Sequence, residues 1–210
     1  MENSYRIAVL ASGSGTNLRA LIEANRSGNL DADVVLVISN NGDSGALRIA
    51  EEFGISRLHL SARLVPEVKE LDDAFLQAFT QHDIDLIALA GYMRQVPACV
   101  VRAYRGRILN IHPALLPAFG GQGMYGLKVH EAVLKYGCKI SGVTVHLVDE
   151  KYDSGAPVLQ RCVPVLPGDT PETLAARVLA EEHKIYAEAI QLFAEGRVEI
   201  DGRQVTIKGR

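Results

Sequence analysis

The sequence of 210 residues has no tryptophan, three methionines and only 6% aromatic residues, so its core must be assembled from aliphatic side chains. Its three cysteines, Cys99, Cys138 and Cys162, are widely separated, odd in number and without the paired spacing of a zinc site. That pattern argues against a disulfide framework and sets the expectation of a reduced, cytoplasmic compartment. No apolar run approaches the roughly 18 residues a membrane helix needs. The stretch after Met1-Glu2-Asn3-Ser4 is too brief for the apolar centre of a signal peptide. Neither membrane insertion nor export by that route is expected. Charge of one sign is also missing: 22 Lys and Arg stand against 25 Asp and Glu, a formal net charge of −3. Nucleic acid is therefore not an expected partner, and any bound anion must be held by local groups. With no repeat, low-complexity tract or linker, residues 1–210 read as a single domain, a monomer or homodimer.

What the sequence does have is 48% hydrophobic residues arranged in short β-branched runs that alternate with segments of helical period. Strands are expected at Ile7 to Leu10, Val34 to Ser39, Arg57 to Leu60, Leu86 to Ala90 and Ile108 to Ile111. Helices are expected at Leu18 to Ala24, Ser44 to Phe53, Pro66 to Phe79 and Lys128 to Tyr136. The continuous apolar run Leu86-Ile87-Ala88-Leu89-Ala90 suggests burial on both faces, as in parallel sheets covered by helices. Later, Val143 to Val148 and Val158 to Val165 read as strands joined by a turn-rich connection, which favours an antiparallel end to the sheet. Thr170 as cap and Pro171 at the first helical position predict a long helix to about Ala194, and Asp201-Gly202 predicts a terminal hairpin. The fold class is α/β.

Three places carry chemistry. Ser12-Gly13-Ser14-Gly15-Thr16-Asn17 lies between the first strand and first helix, where backbone N–H groups and the helix dipole can hold a phosphate. Leu18 stands where a dinucleotide fingerprint wants glycine, and the lysine of a P-loop is missing, so one phosphate monoester fits better than a nucleotide chain. The bland alternative is a tight turn with a polar cap. Second, Asn110 and His112 are two residues apart at a strand end, so both can face one pocket. An amide and an imidazole together suit acyl transfer, one donating to an oxyanion while the other moves protons. Third, Asp153, in a turn-rich segment, would raise the pKa of His112 and orient it if it arrived beside the imidazole. Most turn aspartates merely bond their own backbone. His146, alternating with Val145 and Leu147, either lines the same pocket or is a satisfied core residue. The remaining histidines show no metal-ligand spacing, and no Gly-x-Ser-x-Gly elbow or cysteine motif supports a covalent intermediate.

Taken together, the Ser12 to Asn17 loop, Gly91-Tyr92-Met93-Arg94, Leu109-Asn110-Ile111-His112-Pro113-Ala114-Leu115-Leu116-Pro117, and Val143-Thr144-Val145-His146 followed by Asp153 resemble the folate-dependent formyltransferases. Within that family the likeness is to the glycinamide ribonucleotide formyltransferases. The resemblance implies a Rossmann-like formyltransferase fold, a mostly parallel twisted sheet with helices on both faces and an antiparallel C-terminal part. It also implies transfer of a formyl group from 10-formyltetrahydrofolate, as co-substrate and without a metal, to the amine of glycinamide ribonucleotide in purine biosynthesis. By similarity Asn110, His112 and Asp153 are catalytic, with His112 protonated as it holds the oxyanion. Gly15, Thr16 and Asn17 bind the substrate phosphate, and Glu182 contacts substrate. Met93, Arg94, Gln95 and Val96, together with Val148, Asp149 and Glu150, border the pterin. Gln95 replaces a hydrophobic residue of many members, the loop 119–126 is longer than in some, and Lys69 stands nearest to a family arginine.

Two alternatives remain. A formyltetrahydrofolate deformylase would use water in place of the amine and is expected to carry an extra N-terminal domain, just as methionyl-tRNA formyltransferase would need a basic C-terminal extension. A non-enzymatic nucleotide-binding module would keep the phosphate loop without needing Asn110, His112 and Asp153.

Overall fold

The computed structural model describes residues 4–209; Met1-Glu2-Asn3, which open the segment read above for an export signal, lie outside them. The chain forms two compact units, one ending at Leu109 and one beginning at Asn110.

In the first unit the expected alternation is present: β1 (Tyr5–Leu10), α1 (Thr16–Arg26), β2 (Ala32–Ser39), α2 (Gly45–Glu52), β3 (Ser56–His59), α3 (Val68–Gln81), β4 (Leu86–Leu89) and α4 (Ala98–Ala103). The strands lie in the order β3-β2-β1-β4 and are parallel at every described pairing among them. All four residues of β4 and the last four of β1 and β2 are buried, which is why these runs read as continuously apolar rather than alternating. Helix α3 begins two residues later than its apolar period suggests, because Pro66 and Glu67 precede it and Glu67 occupies the cap. The short α4 was not anticipated: six residues capped by Pro97 are too few for a helical period to show.

β5 (Ile108–His112) carries the chain into the second unit, followed by α5 (Leu127–Tyr136), β6 (Ile140–Leu147), β7 (Pro157–Pro164), α6 (Pro171–Ala194), β8 (Val198–Asp201) and β9 (Gln204–Ile207). β5, β6 and β7 are neighbours in that order; β6 and β7 run antiparallel, and β8 and β9 form the terminal hairpin. Helix α6 starts as expected, with the Thr170 side chain accepting from the Thr173 N–H and Pro171 in the first turn. Thr144, fully buried on β6, braces the segment that follows β5. Its hydroxyl donates to the Ala114 carbonyl at 2.7 Å and accepts from the Leu116 N–H at 3.0 Å. The Gln160 amide, on β7, donates to the same hydroxyl and to the Leu116 carbonyl, each at 3.0 Å. The loop leaving His112 is thus held to two strands by side chains that pair with its backbone groups. The architecture is α/β, mostly parallel with an antiparallel C-terminal part.

Candidate active site

β5 brings Asn110 and His112 to one side, as their spacing predicts, and the loop after β6 brings Asp153 to meet them. Asn110 Nδ2 donates to Asp153 Oδ1 at 3.4 Å, and His112 Nδ1 lies 3.6 Å from Asp153 Oδ2. Asp153 holds its place with φ 52°, in the left-handed region that few side chains adopt. Gly155, two residues on, passes so close to the Leu147 carbonyl that a Cβ would sit 1.7 Å from its oxygen. Between them the Ser154 carbonyl accepts from Arg203 of the hairpin at 2.6 Å.

His146 resolves in favour of the pocket while also being buried in the core. Its Nδ1 lies 2.8 Å from the Leu147 carbonyl, which can only accept, so Nδ1 carries the proton. Its Nε2 lies 3.0 Å from Asn110 Nδ2 and 3.6 Å from Asp153 Oδ1.

Two further contributors were not visible in the sequence because they are backbone atoms. The Phe119 carbonyl accepts from His112 Nε2, and the Gly121 N–H donates to Asp153 Oδ2, both at 2.8 Å. Both come from the loop 119–126. Its Gly120 was the available signal: a Cβ there would fall 2.4 Å from Leu116 Cδ2 and 3.2 Å from Asp153 Cβ, so the backbone must approach closely.

Burial and charge act on His112 in opposite directions. Asp153 does pull the His112 imidazole toward protonation, as does the Phe119 carbonyl. Burial outweighs both, aided by His146, and leaves the His112 pKa below its ordinary value. His112 is therefore biased toward its neutral form, and its protonation is left to charge that develops beside it. For Asp153, burial works to raise the carboxyl, but interaction with His146, the His112 ring and the Gly121 N–H together hold it below the usual carboxylate value. The result is an ionised carboxylate beside a neutral imidazole whose protonated form already has two acceptors waiting, Phe119 and Asp153. Such a pair can take up and release a proton as charge develops nearby.

The other predicted residues are placed as follows. Gly15, Thr16 and Asn17 open α1 in the first unit. Gly15 is the cap, at φ 80°, so the turn is glycine-capped rather than closed by a polar side chain. Thr16 is exposed and Asn17 buried. Met93, Arg94 and Gln95 are exposed and Val96 is buried, in the segment between β4 and α4. In the second unit, Val148 is half-buried, Asp149 and Glu150 are exposed, and Glu182 is buried on α6. Lys69 is paired with Asp73 at 2.6 Å on an exposed face of α3. Among the described residues no group of three or more His, Cys, Asp or Glu is arranged to hold a metal ion.

Residues 5–190 match the formyl transferase family. The chain belongs to that family. It is 43% identical over 194 residues to the chloroplastic phosphoribosylglycinamide formyltransferase of Vigna unguiculata, covering 92% of this chain but only 62% of the plant protein's length. Among solved structures, glycinamide ribonucleotide transformylase 1 of Symbiobacterium toebii superposes with a TM-score of 0.91 at 45% identity, covering 99% of this chain and 95% of that one. A formyltetrahydrofolate deformylase of Pseudomonas syringae pv. tomato also superposes, with a TM-score of 0.87 at 25% identity, covering 98% of this chain and 66% of that one.

Proposed function

We propose that this formyl transferase moves the formyl group of 10-formyltetrahydrofolate to the amine of glycinamide ribonucleotide, a step of purine biosynthesis. The observation that carries the reading is the convergence of three side chains, Asn110 hydrogen-bonded to Asp153 and the buried His112 within 3.6 Å of the same carboxylate. The amine nitrogen attacks the formyl carbon, and the carbonyl π pair moves to oxygen. Asn110, turning one N–H from Asp153, donates to that oxyanion. The negative charge favours protonation of His112, which burial opposes in the resting state, so this interaction is stronger in the transition state than before it. Asp153 accepts the proton lost by the amine, through water, and the proton is returned to the folate nitrogen as its bond to carbon breaks. No covalent enzyme intermediate is required.

Gly15, Thr16 and Asn17 take the substrate phosphate at the start of α1, where the first-turn N–H groups of a helix point outward and the helix dipole favours an anion. Met93 to Val96 and Val148 to Glu150 border the pterin, and Glu182 contacts the substrate. The family match from residue 5 to residue 190 supports reading the chain as one formyltransferase domain. A cytoplasmic setting is proposed on the cysteine pattern, Cys99, Cys138 and Cys162 all being free; among the described residues no helix is long and apolar enough to cross a membrane.

The likeness to a deformylase supplies a second reading, with water replacing the amine. Incubation with 10-formyltetrahydrofolate, with and without glycinamide ribonucleotide, separates the two. Tetrahydrofolate release that depends on the amine is expected. Equal release without it would establish the deformylase, and none in either tube would leave a binding module. Replacing Asn17 by alanine should raise the KM for glycinamide ribonucleotide by about tenfold with kcat little changed, because phosphate contacts are the same before and during reaction. An unchanged KM would move the phosphate elsewhere.

A further inference from the structure

Ser12 opens the loop that follows β1 and lies outside Gly15, Thr16 and Asn17, the residues assigned to the phosphate. Its backbone N–H donates to the Gly91 carbonyl at 3.1 Å. Its hydroxyl accepts from the Met93 N–H at 2.7 Å and donates to Asn40 Oδ1 at 2.5 Å. A serine hydroxyl has one proton. Because that proton is committed to Asn40, the lone pairs are left for Met93 and the rotor is fixed. Asn40 is steadied in turn by His59, whose Nε2 lies 3.3 Å from the Asn40 carbonyl. The same residue therefore ties together the chain leaving β1, β2 and β4, the three parallel strands whose ends lead into the phosphate loop, the Asn40 turn and the Met93 segment.

We propose that Ser12 is a positioning residue that locks the Met93–Val96 segment to the phosphate loop, so that an anion bound at Gly15 to Asn17 preorganises the segment that receives the pterin. This rests on the proposed function for the identity of the two ligand segments. Chemistry at Asn110, His112 and Asp153 is left untouched, so the signature lies in binding rather than in turnover. The Met93 amide is exposed, and without the serine acceptor it exchanges its partner for water, leaving the segment free to shift relative to the loop. Coupling of this kind is reciprocal: pterin binding must favour the phosphate to the same degree.

The test is amide NMR of isotope-labelled protein titrated with inorganic phosphate, read alongside steady-state kinetics. In the natural protein the amides of Gly15 to Asn17 and that of Met93 should shift with one midpoint. In Ser12→Ala the loop should still respond while the Met93 response falls several-fold. The Met93 amide should exchange about tenfold faster, as expected for loss of a hydrogen bond of ordinary strength. The KM for 10-formyltetrahydrofolate should rise about three- to tenfold with kcat within about twofold. Asn40→Asp, which keeps the acceptor, should behave as the natural protein. Asn40→Ala should reproduce part of the Ser12→Ala effect, and it serves if Ser12→Ala does not fold. A Met93 response that survives unchanged in both alanine variants overturns the proposal. Loop amides that ignore phosphate in the natural protein overturn the phosphate-loop reading instead, and the proposal with it.

Discussion

Asp153→Asn should lower kcat by about 10²-fold or more, equivalent to about 2.7 kcal/mol of transition-state stabilisation, with the KM values changed far less. The substitution keeps size and shape but removes the only groups able to accept from all of its neighbours at once. Oδ1 faces Asn110 Nδ2 and Oδ2 faces the Gly121 N–H. An amide must turn its own NH2 toward one of these donors. The proton acceptor is lost together with the charge that draws His112 toward protonation. Steady-state kinetics on a variant shown to melt like the natural protein is the measurement, and a natural rate would remove Asp153 from the chemistry.

His112→Ala should cost about 10²- to 10⁴-fold in kcat, because it removes the group whose protonation accompanies oxyanion formation and leaves Phe119 and Asp153 without their shared partner. A separate signature comes from acid titration of stability. Burial holds the folded His112 pKa below its ordinary value, so the unfolded chain binds this proton more readily. The contribution is whole above about pH 6.5 and is lost as pH falls from there through the folded value. Asp153, also depressed, keeps its contribution until the pH drops below about 4 and loses it as the folded pKa is passed. Urea midpoints between pH 7 and pH 5 should therefore fall less steeply in a His112→Asn variant than in the natural protein. Parallel slopes would show that His112 is not held neutral by the fold.

Much of this architecture is legible because period and burial agree. Leu86 to Leu89 is apolar throughout since both of its faces are covered, and Thr170 and Pro171 mark the start of α6 to the residue. The pairing of Asn110 with His112 follows from strand geometry alone, and Asp153 could be nominated though not placed. What stayed hidden was whatever depends on backbone atoms or on net field. The Phe119 carbonyl and Gly121 N–H have no letter in the sequence, and the direction of the His112 shift depends on burial outweighing a carboxylate whose presence was rightly expected. His146 was left open for the same reason: an alternating strand histidine looks alike whether its ring ends in the core or beside a carboxylate, and here it does both.

The left-handed backbone at Asp153 makes the demands of conformation and of reactivity oppose each other at a single position. Glycine would occupy φ 52° without the penalty, on the order of 1 kcal/mol, that a side chain bears there. Yet glycine would also abandon Asn110 Nδ2 and the Gly121 N–H, so the carboxylate that accepts the proton offsets the strain of its own backbone, and a library screened solely for thermal endurance should return no glycine at this position.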